Sequence, residues 1–349
     1  MSAVTKKSHV DAKELKTEKS NSTPIEEKAN YVMEDVSRFT TIFITIYMAL
    51  ILSQSPNINE YMAKRGGSIS YWEFLWVIPG VVYSYGLFVI CTKYLAKYLQ
   101  PFLKEVNYRE EESHEQRLHR IGVSIMGLAY YVWSFCTLYY LSYGTEFLPV
   151  VYGGYLQLDN YPNEWPVNTS SAIRITYLIG LGHHLERLIV HMIESRASKS
   201  YYTMNLHHIL TVYLIALSYF MNHFMFGVAV FILHDLSDAL MWASRLLRET
   251  KFEKATIITF LLMSASWFHE RVYGFITEVV LKLLFEMIHP RKFFSKFYFS
   301  HLFFFTALFL LAALNVYWCF QILQIAITKF IKKQDKFAFE DTKRKGKTQ

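Results

Sequence analysis

The sequence predicts an all-α fold, a polytopic bundle of about eight membrane-spanning helices. Three observations lead there. Hydrophobic residues make up 52% of the 349 and charged residues only 19%, whereas soluble domains carry about 25% charged residues. The apolar residues gather into long blocks, several of them close to the roughly 20 helical residues that a hydrocarbon core requires. The net charge of +7 is carried mainly by the two tails and selected loops, as membrane topology would place it. That distribution argues against nucleic acid and for an anionic cytosolic ligand or anionic lipid.

Taken in order, residues 1–37 are polar and read as a disordered cytosolic tail. No cleavable signal peptide is evident, so the first apolar block acts as an uncleaved anchor. Candidate spans run Arg38 to Ser53, Tyr71 to Tyr98, Ile121 to Val151, Ser171 to Glu194, Met204 to Met221, Phe224 to Leu246, Ala255 to Ile288 and Phe297 to Phe330. Residues 38–120 thus form N-terminal membrane helices with a cytosolic loop, 121–331 the main membrane domain, and 332–349 a basic cytosolic tail. With both termini cytosolic, 25 Lys and Arg fall on the cytosolic side and five on the other, which satisfies the positive-inside rule. The loop from Val150 to Ser170 holds no Lys or Arg and carries a glycosylation sequon at Asn168. Cys91, Cys136 and Cys319 lie in apolar segments without paired spacing and read as small buried hydrophobes.

Ionisable groups inside spans cost about 2.5–3.5 kcal/mol each on insertion scales, so they mark function. The sixth span carries His234, Asp235 and Asp238. Spacings of three and four place them on one face, more than a clasp between helices needs. The fifth span opens with His207 and His208. Neighbours on a helix point about 100° apart, so usually only one can enter a given cavity. Both clusters lie at similar depth below the cytosolic face, which favours one composite site. The fourth span adds His183, His184, Glu186, Arg187 and His191; His184, Arg187 and His191 share a face by spacing. That face suits a cavity wall or a buried charge network. In the seventh span Arg271 suits an anion, or Glu270 and Arg271 are paired structurally with other helices. A histidine near a carboxylate abstracts protons at neutral pH, the carboxylate fixing the imidazole tautomer. No G-x-S-x-G elbow and no cysteine at the site offers another nucleophile, leaving His as base or transient acyl acceptor.

The stretch from Met204 to Arg248 resembles the Lag motif of the ceramide synthases, members of the TLC domain family. The resemblance rests on His207-His208 with Thr211, Ser218-Tyr219, Asn222, Gly227, Leu233-His234-Asp235 and Ser237-Asp238-Ala239-Leu240. It continues through Lys251-Phe252, Arg271, Asn315 and Trp318, with Trp165-Pro166 upstream. It implies a TLC-type domain enclosing a central cavity. The activity it implies is acyl transfer from fatty acyl-CoA to the amine of a sphingoid long-chain base in the endoplasmic reticulum membrane. His207 and His208 are then the catalytic imidazoles, and Asp235 and Asp238 the essential carboxylates. His234, Asn222, Arg245, Arg271, His184 and Arg187 become the candidate substrate-binding residues. No metal and no cofactor beyond the co-substrate acyl-CoA is implied, and no nucleic acid. Membrane lipids are partners; a homodimer, a heterodimer or a small accessory subunit is compatible with the resemblance. Arg245, Arg248, Lys251 and Lys254 suit the CoA phosphates. The sequence departs from the family pattern at Met225, Trp242, Arg245, Leu181 and Leu185, which bears on substrate choice. Two other readings are a non-catalytic TLC relative that binds lipid or aids membrane insertion, and a His-rich lipid hydroxylase. The first usually lacks the His pair and the His-Asp; the second needs further His two to four residues from each pair.

Overall fold

The computed structural model describes residues 70–105, 112–155, 169–194, 201–288 and 298–345, with scattered positions between 38 and 64. Most of the first expected span, Asn168 of the sequon and Trp165-Pro166 lie outside the described residues. Seven long helices can be followed among the described residues. They are α1 (Glu73–Tyr98), α2 (His114–Ser142), α3 (Ser171–Glu194), α4 (Tyr201–Phe220), α5 (Phe224–Glu249), α6 (253–288) and α7 (Tyr298–Lys345). Among the described residues, four are long and apolar enough to cross a membrane: α1, α2, α5 and the stretch His301–Thr328 of α7.

The boundaries follow local chemistry. The third expected span began at Ile121, yet α2 starts seven residues earlier. There Ser113 and Gln116 form a reciprocal capping box, which satisfies two otherwise orphaned amides. It also ends earlier, at Ser142, followed by Gly144 at φ 67°. The chain then folds into a loop whose Phe147 and Leu148 are buried. Tyr152 of that loop hydrogen-bonds Glu270 of α6. Burial, reinforced by that bond, pushes the Tyr152 phenol up. At the other end, α7 continues to Lys345, so residues 332–345, expected as a floppy tail, are helical.

Packing closes a ring. α2 packs on α5, α5 on α6, α6 on α7, α7 on α4, α4 on α3, and α3 back on α2, while α1 lies outside against α3. The α1–α3 contact is close because glycines meet there. A Cβ on Gly80 would stand 2.9 Å from Ile179 Cα, and one on Gly182 2.8 Å from Gly80 C. Small residues of this kind let helix backbones approach in apolar surroundings. Two stretches of α6, Trp267–Gly274 and Ile276–Val280, are π-helical. Such turns recur at functional sites, and here one buries both Glu270 and Arg271.

Candidate functional site

All six helices of the ring contribute to one cavity of about 1270 Å³. From α4 come His207 and His208, both on the wall, with ring centroids 5.4 Å apart. Trp318 of α7 stands edge-on to His207 at 5.1 Å. His191 of α3 lies 5.2 Å from His208. Neither Nδ1 atom has a hydrogen-bond partner, although an unmet buried polar group costs about 1–3 kcal/mol. Such a cost is tolerated where a ligand will meet it.

The α5 cluster divides. Asp238 reaches the wall and pairs with Arg271 of α6 at 2.5 Å. Arg271 Nε also donates to Ser237 Oγ at 2.5 Å and Nη2 to the His234 carbonyl at 3.0 Å. Its guanidinium lies 4.1 Å from the Trp267 ring centre. Arg271 is 1% exposed, so the half-buried Asp238 neutralises what would otherwise be an isolated buried charge. Of the two readings the sequence left for Arg271, the structure shows the pairing one, with Asp238 as partner.

Asp235 and His234 do not line the cavity. Asp235 accepts from Ser134 Oγ of α2 at 2.5 Å. His234 Nδ1 donates to the Val230 carbonyl at 2.8 Å, leaving Nε2 to accept from Asn315 Nδ2 of α7 at 3.0 Å. His234 is thus a clasp between helices, and the expected three-group face contributes one group to the cavity. Among the described residues no hydrogen bond joins either carboxylate to His207 or His208. Ser134 and the five-donor guanidinium of Arg271 take the two carboxylates.

On α3 the wall residues are His183, Arg187 and His191, not His184, Arg187 and His191. His184 turns inward against Phe231 at 5.7 Å. Both rows are helical faces by spacing, and only packing against α1 and α2 chooses between them. Asn222 does not line the cavity either. It ends α4 in the left-handed region at φ 55°, with its amide on the Tyr219 carbonyl and His223 N–H on the Ser218 carbonyl. That is a Schellman ending in which Asn commonly serves. Fourteen residues of helix separate it from His208, about 21 Å.

One end of the cavity is cationic. Arg245, Arg248 and Lys104 line it there with Arg187, outnumbering the carboxylates of Glu194 and Glu253 on the same wall; Arg245 lies 4.8 Å over the Trp242 ring. Lys251 and Lys254, expected to join them, are exposed and off the wall. Sequence reasoning missed Lys104, Tyr131, Trp242 and the wall position of His183. Only His183 carried a signal, standing four residues before Arg187. Apolar side chains including Met126, Ile257, Phe260, Met263 and Ile322 complete the wall.

Residues 120–324 match the TLC domain. The chain is similar to ceramide synthase 4 of Mus musculus, 28% identical over 176 residues that cover 50% of this chain and 43% of the relative. It is likewise 30% identical to ceramide synthase 4 of Homo sapiens, over 50% of this chain and 42% of that protein. The sphingosine N-acyltransferase lag1 of Schizosaccharomyces pombe is 33% identical over 34% of this chain and 29% of its own length. The chain therefore spans less than half the length of these curated relatives. The domain match itself extends over more than half of the chain, and the chain belongs to the TLC domain family.

Proposed function

We propose that the protein is a ceramide synthase, transferring a fatty acyl group from acyl-CoA to the amine of a sphingoid long-chain base. The observation that carries this reading is the pair His207 and His208, both on the wall of one cavity with unpartnered Nδ1 atoms. The cavity joins a cationic end to an apolar wall. That combination suits an amphiphile with phosphates on one end and an acyl chain on the other. Lys104, Arg245 and Arg248 would meet the CoA phosphates by charge and by bidentate geometry. Met126, Phe260, Met263 and Ile322 would receive the chain.

In the reaction the sphingoid amine, once deprotonated, attacks the thioester carbonyl or an acyl group carried on an imidazole. In direct attack the C–N bond forms as the C–S bond breaks. On the other route the C–S bond breaks as the imidazole takes the acyl group, and the amine then displaces the imidazole nitrogen. CoA leaves as the thiol either way. His207 or His208 accepts and returns the proton, within the reach that general base catalysis requires. Arg271, held against Asp238, sets the positive field near the carbonyl oxygen. Asp235 and His234 act by holding α5 against α2 and α7. Asn222 would act through the α4–α5 turn. In this reading the protein has eight spans, lies in the endoplasmic reticulum membrane and keeps both termini in the cytosol, with the cationic end of the cavity opening there.

Lipid mass spectrometry of the purified protein, given long-chain acyl-CoA and sphinganine, tests the reading. A new N-acyl sphinganine that disappears in the His207→Ala/His208→Ala protein is the expected result. An inert wild-type protein, or a double variant as active as wild type, would sink it.

A further inference from the structure

We infer that His183 is a further base of the cavity, presenting its Nε2 lone pair to the protonated amine of the acceptor lipid. This rests on the acyl-transfer reading above and adds a third imidazole, from α3, to the pair on α4. The Met204–Arg248 motif does not include it.

The geometry begins with the glycine contact between α1 and α3. Gly80 and Gly182 bring the two backbones together. One turn along α1, Ser84 then lies fully buried beside His183. Ser84 Oγ is 2.8 Å from His183 Nδ1 and 2.8 Å from Glu186 Oε2. Glu186 accepts from Arg187 Nε at 2.5 Å and again through its second oxygen from Nη2. A carboxylate paired in this bidentate way is an acceptor only. Ser84 has one hydrogen, so it donates that hydrogen to Glu186. It must then accept from His183, which fixes the ring as the Nδ1–H tautomer. The hydrogen-bonded second nitrogen sets which nitrogen is free to react.

The second nitrogen is left without a partner. His183 lines the cavity, is 1% exposed, and its Nε2 has no hydrogen-bond partner. Stacking against Tyr130, with centroids 3.3 Å apart and planes 12° from parallel, holds the ring in place. The groups facing it are Ser84 from α1, Tyr130 and Tyr131 from α2, and His184, Glu186 and Arg187 from its own helix. His208 acts on it electrostatically from α4. No carboxylate contacts the ring directly, so Glu186 reaches it only through Ser84.

The proton count closes. An aliphatic ammonium, with a pKa near 10, gives one proton to Nε2 and becomes the free amine. The amine attacks the acyl carbonyl; its second proton goes to the departing CoA sulfur. The His183 imidazolium then releases its proton through the open end of the cavity, leaving amide, CoA thiol and one proton in bulk water.

The test compares wild type with His183→Gln and Ser84→Ala in lipid nanodiscs, over pH 6.5 to 9.5, at saturating acyl-CoA and varied sphinganine. His183→Gln should lower kcat/KM for sphinganine about 100-fold near pH 7. The deficit should shrink towards pH 9.5, where free amine is abundant. Ser84→Ala should give a smaller loss with the same pH trend. A merely structural role would lower the rate equally at every pH, and that result, or no loss at all, overturns the assignment. Nitrogen-15 spectra of histidine-labelled protein provide a reading independent of turnover. The His183 resonances should show Nδ1 protonated and Nε2 bare, with Nε2 moving towards the protonated position when sphinganine is added. If wild type forms no amide, the acyl-transfer reading fails while these spectra still decide the base: protonated Nε2, or Nε2 unmoved by sphinganine, overturns it.

Discussion

The dipeptide His-His occurs on two neighbouring helices, and the two copies are used differently. On α3, His183 meets the cavity while His184 is packed against Phe231. On α4, both His207 and His208 reach the wall. Adjacent helical residues diverge by about 100°, so a flat wall takes one ring of a pair. α3 presents such a wall, because α1, α2 and α4 occupy the rest of its circumference. The cavity instead wraps round the start of α4, from His191 on one side to Trp318 on the other. How many rings a pair delivers is set by how much of the helix the cavity surrounds, not by the dipeptide.

The sharpest way to break this comparison is to remove each pair's wall groups. Replacing both His207 and His208 by Ala should reduce acyl transfer at least 1000-fold, within the range of about 10²–10⁴ for lost acid–base groups. The protein should keep its size-exclusion profile. His184→Ala should chiefly lower thermal stability, by roughly 2–4 kcal/mol for a truncated buried side chain. A double variant that loses only stability, with turnover per folded molecule intact, would make the α4 pair a packing feature like His184.

The carboxylates of α5 repeat the lesson at a second place. Asp238 lies on the wall against Arg271, Asp235 behind it against Ser134. Arg271→Met leaves the half-buried Asp238 without its partner and should cost about 1–3 kcal/mol of stability, read from thermal unfolding in detergent. Asp238→Asn should cut transfer at least tenfold, the scale of one lost charge contact of about 1.4 kcal/mol. Asp235→Asn keeps an acceptor for Ser134 and should cost less than Asp238→Asn in initial rates per folded molecule. Equal losses at the two positions would abolish the distinction drawn here.

Much of this was legible before any coordinates. The apolar blocks gave most helices within a few residues, because span length is fixed by the bilayer and charges are expensive inside it. His207, His208, Asp238, Arg245, Arg271 and Arg187 were all legible as site candidates, and all line the cavity. What stayed hidden was rotation. Spacing says that His184, Arg187 and His191 share a face, and says the same of His183, Arg187 and His191. The Gly80–Gly182 contact, long-range in sequence, makes the choice. The π-helical turn at Trp267–Gly274 likewise breaks the 3.6-residue period on which any prediction of the Arg271 side would rest. Asn222 shows the opposite error: a motif residue whose visible work is to end a helix.

The smallest expected effect concerns the two ends of the cavity. The imidazole region is buried, whereas Lys104, Arg245 and Arg248 stand at its cationic end. Charges near solvent interact weakly, about 0.2–1 kcal/mol each, and are screened over about 10 Å at 0.1 M salt. Arg245→Gln/Arg248→Gln should therefore raise KM for acyl-CoA several-fold, leave kcat nearly unchanged, and flatten the dependence of KM on salt. The same pair of substitutions should leave KM for sphinganine unmoved, because an amine gains nothing from guanidinium groups. Steady-state kinetics at 50 and 300 mM NaCl would separate the cases. A fall in kcat without a change in KM would move these arginines from phosphate capture to the chemistry itself, and would merge the two ends of the cavity into one site.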